Sequence, residues 1–362
     1  MRLRRSPGDL VAALLAGAWR PVAAPPALPA REIEPVLRSA EARLLGAGCG
    51  PLVWRAVATT NLRSHASAAP YRDAYRHHAV HAEVELRGIA AAVAALREHG
   101  IEPLLVKGWA TARLYPELGL RPFGDLDLCV RPEEREAAER ALALSALAGP
   151  IAGPIARVDL HTSLADLAGR SLDELYERGA LAALGDPAAT RVRVLDAGDH
   201  LRLLALHLLR HGAWRPLWLC DVALVVERDG AALDWDLCLR GTRRDARRVA
   251  CVMGLARRVL GAELPSGLPP EVSRAVRRVP RWLVAATLAQ WGRPYTRYTD
   301  RPIATSASRP LDLLAAVRRR WPNAIEATMS LDAPFDGLPR LPLQLTDALR
   351  RARRALTARR VS

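Results

Sequence analysis

The chain has 362 residues, half of them apolar, which is enough for one large or two modest domains. No apolar run approaches the roughly 18 residues a membrane helix needs, so no membrane partner is expected. The five cysteines are scattered, odd in number and without a CxxC pair, so they indicate no disulfide framework or zinc site, and a cytoplasmic setting is expected. The formal charge of +15 keeps nucleic acid in view. A chain rich in Ala, Arg, Gly and Pro explains why arginine replaces lysine, but not the positive excess. Lys107 is the sole lysine among 53 basic residues. A lone lysine marks a position suited to a compact point charge rather than a planar fork.

In chain order, the first residues read as an amphipathic helix rather than a secretion signal, because Arg20 and Pro21 stand where a cleavage site would follow. Pro21 to Pro29 is a connector, and apolar residues recur at three and four from Ile33 to Leu45. Gly46 to Pro51 interrupts that helix. His77, His78 and His81 lie on a helix of mixed charge, as solvated or interface residues. Helical spacing returns from Val84 to Leu96. Ile101 to Val106 is a buried strand, Trp109 to Tyr115 a short helix, and Asp125 to Val130 a strand of period two. Arg131 to Glu134 opens a helix, with Pro132 and two acids at its positive end. Two further strands are predicted at Arg157 to Thr162 and Arg191 to Leu195. From Asp199 to about Trp291 the chain reads as helix; an irregular Pro- and Arg-rich stretch and a basic terminal helix follow.

The expected class is α+β: a small mixed sheet over 85–197, between an N-terminal helical region (1–84) and a helical region (198–295), with the irregular and basic segment over 296–362.

Asp125 and Asp127 are two apart on a predicted strand, so both carboxylates face one way. Like charges held that close are relieved by a divalent cation, and Mg²⁺ takes one or two carboxylates, water and substrate phosphates. Gly124 before the pair leaves room for close approach by backbone or ligand. Lys107 and Gly108 form a strand-to-helix turn whose backbone N–H groups can hold phosphate, and Arg121 is near enough in sequence to grip the same group. On the next strand Asp159 and His161 share a face. If that strand lies beside the Asp125 strand, Asp159 completes a metal triad and activates an acceptor hydroxyl. His161 then orients the acceptor or pairs with a carboxylate.

These residues resemble the uncharacterised bacterial nucleotidyltransferases of the DNA polymerase beta-like superfamily. The matching pieces are Lys107-Gly108, Leu114-Tyr115, Arg121, Gly124-Asp125-Leu126-Asp127-Leu128 and Asp159-Leu160-His161. Downstream, His207, His211, Trp214, Trp218 to Asp221 and Trp235 are similar to the family's helical pattern, and the likeness runs over roughly 40–345. Nucleotidyltransferase toxins of abortive-infection systems share a similar layout. One departure is Trp109, where the family usually has alanine. A ring there would narrow the pocket, stack on a base, or mark lost turnover.

The resemblance implies a Mg²⁺-dependent (or Mn²⁺-dependent) enzyme that moves a nucleoside monophosphate from a nucleoside triphosphate to an acceptor hydroxyl. The acceptor is a small molecule, a peptide or protein, or RNA; DNA is not expected. His207, His211 and Asp221, with His161, would line the acceptor pocket. The alternatives are a non-catalytic nucleotide- or partner-binding module on the same fold, and an RNA-modifying toxin.

Overall fold

The computed structural model describes residues 5–147, 158–185, 190–293 and 321–358. Most of the anticipated irregular stretch, together with Arg157, Arg359 and Arg360, lies outside the described residues.

Four helices lead the chain: α1 (Pro7–Leu15), α2 (Ala30–Gly46), α3 (Gly50–Val57) and the long α4 (Ala69–Glu98). The α/β region follows as β1 (Leu104–Leu105), α5 (Trp109–Ala112), β2 (Leu126–Cys129), α6 (Arg135–Leu147), β3 (Val158–His161), α7 (Leu172–Arg178), β4 (Ala180–Leu184) and β5 (Thr190–Val194). Then come α8 (Ala197–Arg210), α9 (Pro216–Asp229), α10 (Trp235–Leu239), α11 (Arg243–Leu260), α12 (Pro270–Arg277) and α13 (Arg281–Trp291). Numbered over the described residues, α14 (Ala324–Ser330) and α15 (Leu341–Ala358) close the chain. The fold is α+β, as the residue pattern indicates.

The strand order is β3-β2-β1-β5-β4. β2 pairs parallel with β3 and antiparallel with β1, while β1 pairs parallel with β5. β4 is the strand that the residue pattern does not reveal. Its sequence, Ala-Leu-Ala-Ala-Leu, favours helix, and five ladder pairs with β5 override that preference.

The alternation of side chains divides the sheet between two cores. Leu105, Leu126, Leu128, Val192 and Val194 pack with Ile89, Val93 and Leu96 of α4 and Ala138 of α6. Leu104, Val106 and Cys129 face the other way, into a larger core built from α1–α3 together with α8, α9 and α11. The N-terminal helices therefore share their core with the C-terminal ones. The boundary anticipated between residues 84 and 85 falls inside the unbroken α4.

α8 starts where it does because the Asp196 side chain accepts from the N–H groups of Gly198 and Asp199. Ser171 and Glu174 form a capping box on α7. All five cysteines are buried and unpaired. No described helix is long and apolar enough to cross a membrane.

Candidate active site

The parallel ladder between β2 and β3 sets Asp127 opposite Asp159 and Cys129 opposite His161. In parallel strands, paired residues project to the same side. Leu126, Leu128 and Leu160 take the opposite face. The side chains of Asp127, Asp159 and His161 meet, with their donor atoms within 4.8 Å of one another. His161 Nε2 lies 3.0 Å from Asp127 Oδ1 and 3.4 Å from Asp159 Oδ2. Asp159 is the open member: its side chain is 66% exposed, against 14% for Asp127.

Lys107 completes the group, with Nζ 3.1 Å from Asp127 Oδ1. Burial alone would raise the Asp127 pKa. The hydrogen bond from His161 and the Lys107 ammonium outweigh it and hold the carboxyl below its usual range. The lone lysine thus has a physical role: a point charge seated against one carboxylate oxygen.

Gly108 makes the turn that presents it. With φ at 53° and ψ at −111°, it adopts a backbone that side chains disfavour, and a Cβ there would sit 3.0 Å from the Asp125 carbonyl oxygen. Gly124 differs. It is exposed, and a Cβ there would meet no protein atom, so no backbone approach demands glycine and only the room for a ligand remains from the expectation.

Asp125 stands exposed just before the first paired residue of β2, outside the three-residue group. The carboxylate that joins Asp127 is Asp159, from the neighbouring strand. Register between strands decides that pairing, and spacing along one strand cannot show it.

Arg121 and Asp221 correct the expectation most. Arg121 is only 7% exposed. Its Nη2 and Nε donate to Asp221 at 2.9 and 3.3 Å, and its Nη1 donates to the Gly108 carbonyl at 3.3 Å. The Tyr115 hydroxyl donates to Asp221 at 2.8 Å. Asp221 is fully buried and does not line an acceptor pocket; it neutralises Arg121. Arg121 is no phosphate fork here, because its donors already hold α9 and the Gly108 turn together. A second strut lies beside it, where Thr111 Oγ1 meets His200 Nε2 at 3.0 Å, both buried. Burial, reinforced by Arg113 and Arg121, pushes the His200 imidazole down to about 3.

Trp109 is 4% exposed and packs among Ile89, Leu96 and Leu105 beneath the sheet. Its ring is a core side chain, and it neither narrows the site nor stacks on a base.

His207 and His211 gather with Trp218, ring centroids 4.5 to 5.4 Å apart, and Trp214 adjoins at 5.5 Å. This ring cluster borders the site. Burial pushes the His207 imidazole down to about 3, with further contributions from His211 and Lys107. On the other side, α4 contributes Glu85, buried and 3.4 Å from His81. Burial raises the Glu85 pKa, with the Asp125 charge adding to it. The residue pattern did carry a sign of Glu85: an acid interrupting the apolar stripe of Ala82, Ile89 and Val93. Asp166, five residues past the end of β3, was overlooked as well. It is buried beside Arg210 at 2.6 Å.

Two carboxylates and an imidazole within 4.8 Å, one of them open to solvent, suit a divalent cation. A family model described as uncharacterised nucleotidyltransferase matches residues 34–149 and 151–261, more than half of the chain. The chain belongs to that family. The match to these nucleotidyltransferases takes in the whole sheet and α8 to α11, and it ends well before the residue 345 suggested by sequence likeness. No curated protein and no solved structure matches the chain.

Proposed function

We propose that this protein is a metal-dependent nucleotidyltransferase with a polymerase beta-like core, working in the cytoplasm. It transfers a nucleoside monophosphate from a nucleoside triphosphate to an acceptor hydroxyl. The observation that carries this is the in-register pairing of Asp127 with Asp159 beside the Lys107–Gly108 turn. A cation held by Asp127, Asp159 and His161, with Asp125 at the rim, would be Mg²⁺ or Mn²⁺ and would neutralise phosphate charge.

Lys107 and the backbone of the Gly108 turn hold the triphosphate. The acceptor oxygen attacks the α-phosphorus, a new P–O bond forms, and the bond to the β-phosphate oxygen breaks in line. Pyrophosphate leaves with that electron pair. Asp159, the exposed carboxylate, takes the hydroxyl proton and passes it to water. His161, with Nε2 3.0 Å from Asp127 Oδ1 and 3.4 Å from Asp159 Oδ2, keeps the two carboxylates together. Arg121 acts behind the site, fixing the Gly108 carbonyl, and touches no phosphate. Burial of Trp109 removes the main argument for a module without turnover.

The test is incubation with each α-labelled nucleoside triphosphate and Mg²⁺, comparing the parent with Asp127→Asn/Asp159→Asn. Nucleotide binding and pyrophosphate release lost in the variant support the reading. Failure of the parent to bind any nucleotide, or binding indifferent to the double substitution, overturns it.

A further inference from the structure

A cleft of about 1110 Å³ lies next to the acid cluster. Two walls are common to both. Leu206 and Arg210 of α8 line the cleft and flank His207, and Ala165 and Asp166 line it just after β3 ends at His161. Electrostatics follow the same route. The Lys107 charge reaches both His207 and Asp166, although burial dominates each group.

The lining is arginine-rich: Arg210, Arg243, Arg244, Arg247, Arg248 and Arg351. Four acids, Asp166, Asp245, Glu326 and Asp332, face the same space. They pair with four of the six. Arg210 meets Asp166, Arg244 and Arg248 both meet Asp332, and Arg351 meets Glu326. Arg243 and Arg247 form no ion pair among the described residues.

The position of these arginines adds a second argument. Arg243, Arg244, Arg247 and Arg248 occupy the first two turns of α11. That end of a helix carries partial positive charge and disfavours cations. Asp245 in the same turn offsets part of this and pairs with Arg248, but four arginines against one acid still oppose the helix's own field, and an anion in the cleft would relieve the excess. Arg248 is buried to 5% exposure, lines the cleft, and leaves its Nε without a hydrogen-bond partner.

We propose that this cleft binds phosphate groups of the acceptor, so that the acceptor is a phosphate-bearing molecule whose hydroxyl reaches Asp159 along α8. The volume admits more than one phosphate. The word acceptor rests on the nucleotidyl-transfer reading above; the binding of phosphate esters does not.

The experiment uses the full chain and Arg243→Ala/Arg247→Ala, which removes no described ion pair. Binding of a short single-stranded RNA, of a hexose phosphate and of ATP is measured separately, each across a salt series. RNA or hexose phosphate should bind the variant at least about tenfold more weakly. If the source is a strand, the RNA salt slope should also fall by about 1.4, as two lost phosphate contacts require. ATP affinity should change less than twofold. Binding of the hexose phosphate alone assigns a small phosphorylated acceptor, and binding of RNA alone assigns a strand; both support the cleft. Failure of the parent to bind either probe, or equal binding by parent and variant, overturns the proposal. An equal loss for ATP would show the cleft to be part of the triphosphate site and would overturn it too. Asp127→Asn/Asp159→Asn keeps the two failures apart: it should lose ATP and keep the phosphate-ester probe.

Discussion

The two sides of the Gly108 turn hold similar residues to opposite ends. In front, Lys107, Asp127, Asp159 and His161 share their charges at a half-open rim. Behind, Arg121, Asp221 and Tyr115 form a dry cluster, with Thr111 and His200 beside it. An exposed carboxylate such as Asp159 keeps its water and can exchange it for a ligand. A buried pair has already given its water up and only loses by separation. The comparison teaches that charge near a site is not the same as charge available to a substrate.

The sharpest test of that contrast is Asp127→Asn. Activity should fall by roughly 10³-fold, the several kcal/mol attached to a metal-binding carboxylate. The urea midpoint should hardly move. Substantial unfolding would mean that the front is structural after all.

Arg121→Ala should behave in the opposite way. Leaving Asp221 buried and unpaired costs about 3–5 kcal/mol, seen as a lower urea midpoint. Arg121→Met/Asp221→Leu should recover most of that loss. If stability were intact in the single variant while nucleotide binding vanished, Arg121 would belong to the front.

His200 gives a pH version of the same test. Its folded pKa of about 3 lies below the ordinary 6.5, so the unfolded chain takes up the proton first as pH falls. Stability is complete above 6.5 and is lost progressively toward 3. The slope should be about 1.4 kcal/mol per pH unit for this group. His200→Gln, which can still accept from Thr111, should flatten the urea midpoint between pH 6.5 and 5 relative to the parent.

The smallest effect is expected of Trp109→Phe. As a core ring it should cost roughly 1.5 kcal/mol or less and leave nucleotide affinity unchanged. A changed Kd would return the ring to the pocket.

The residue pattern made much of this legible. The β2 and β3 strands and the Lys107–Gly108 turn follow from period two, a glycine and a lone lysine, whereas the Asp127–Asp159 meeting was legible only on the condition that β3 lies beside β2. What it hid was of two kinds. β4 has a helical composition and exists only through its ladder with β5. Arg121, Asp221 and Trp109 are polar or bulky groups whose direction depends on helices far along the chain. Asp221 lies 100 positions from the arginine it neutralises. Local pattern shows which residues carry chemistry; it does not show which of them tertiary packing has consumed.

The pairing of β2 with β3 makes this protein a gauge of its own assembly. Both acids lie on one face because the two strands are aligned to the residue. A slip of β3 by one position would bring Leu160 out to the rim and turn Asp159 and His161 toward the apolar layer under the sheet. The backbone bonds of that ladder would be nearly as numerous as before. A chain misassembled in this way could keep its helices and its compactness while losing its chemistry, so turnover reports strand alignment in a way that circular dichroism cannot.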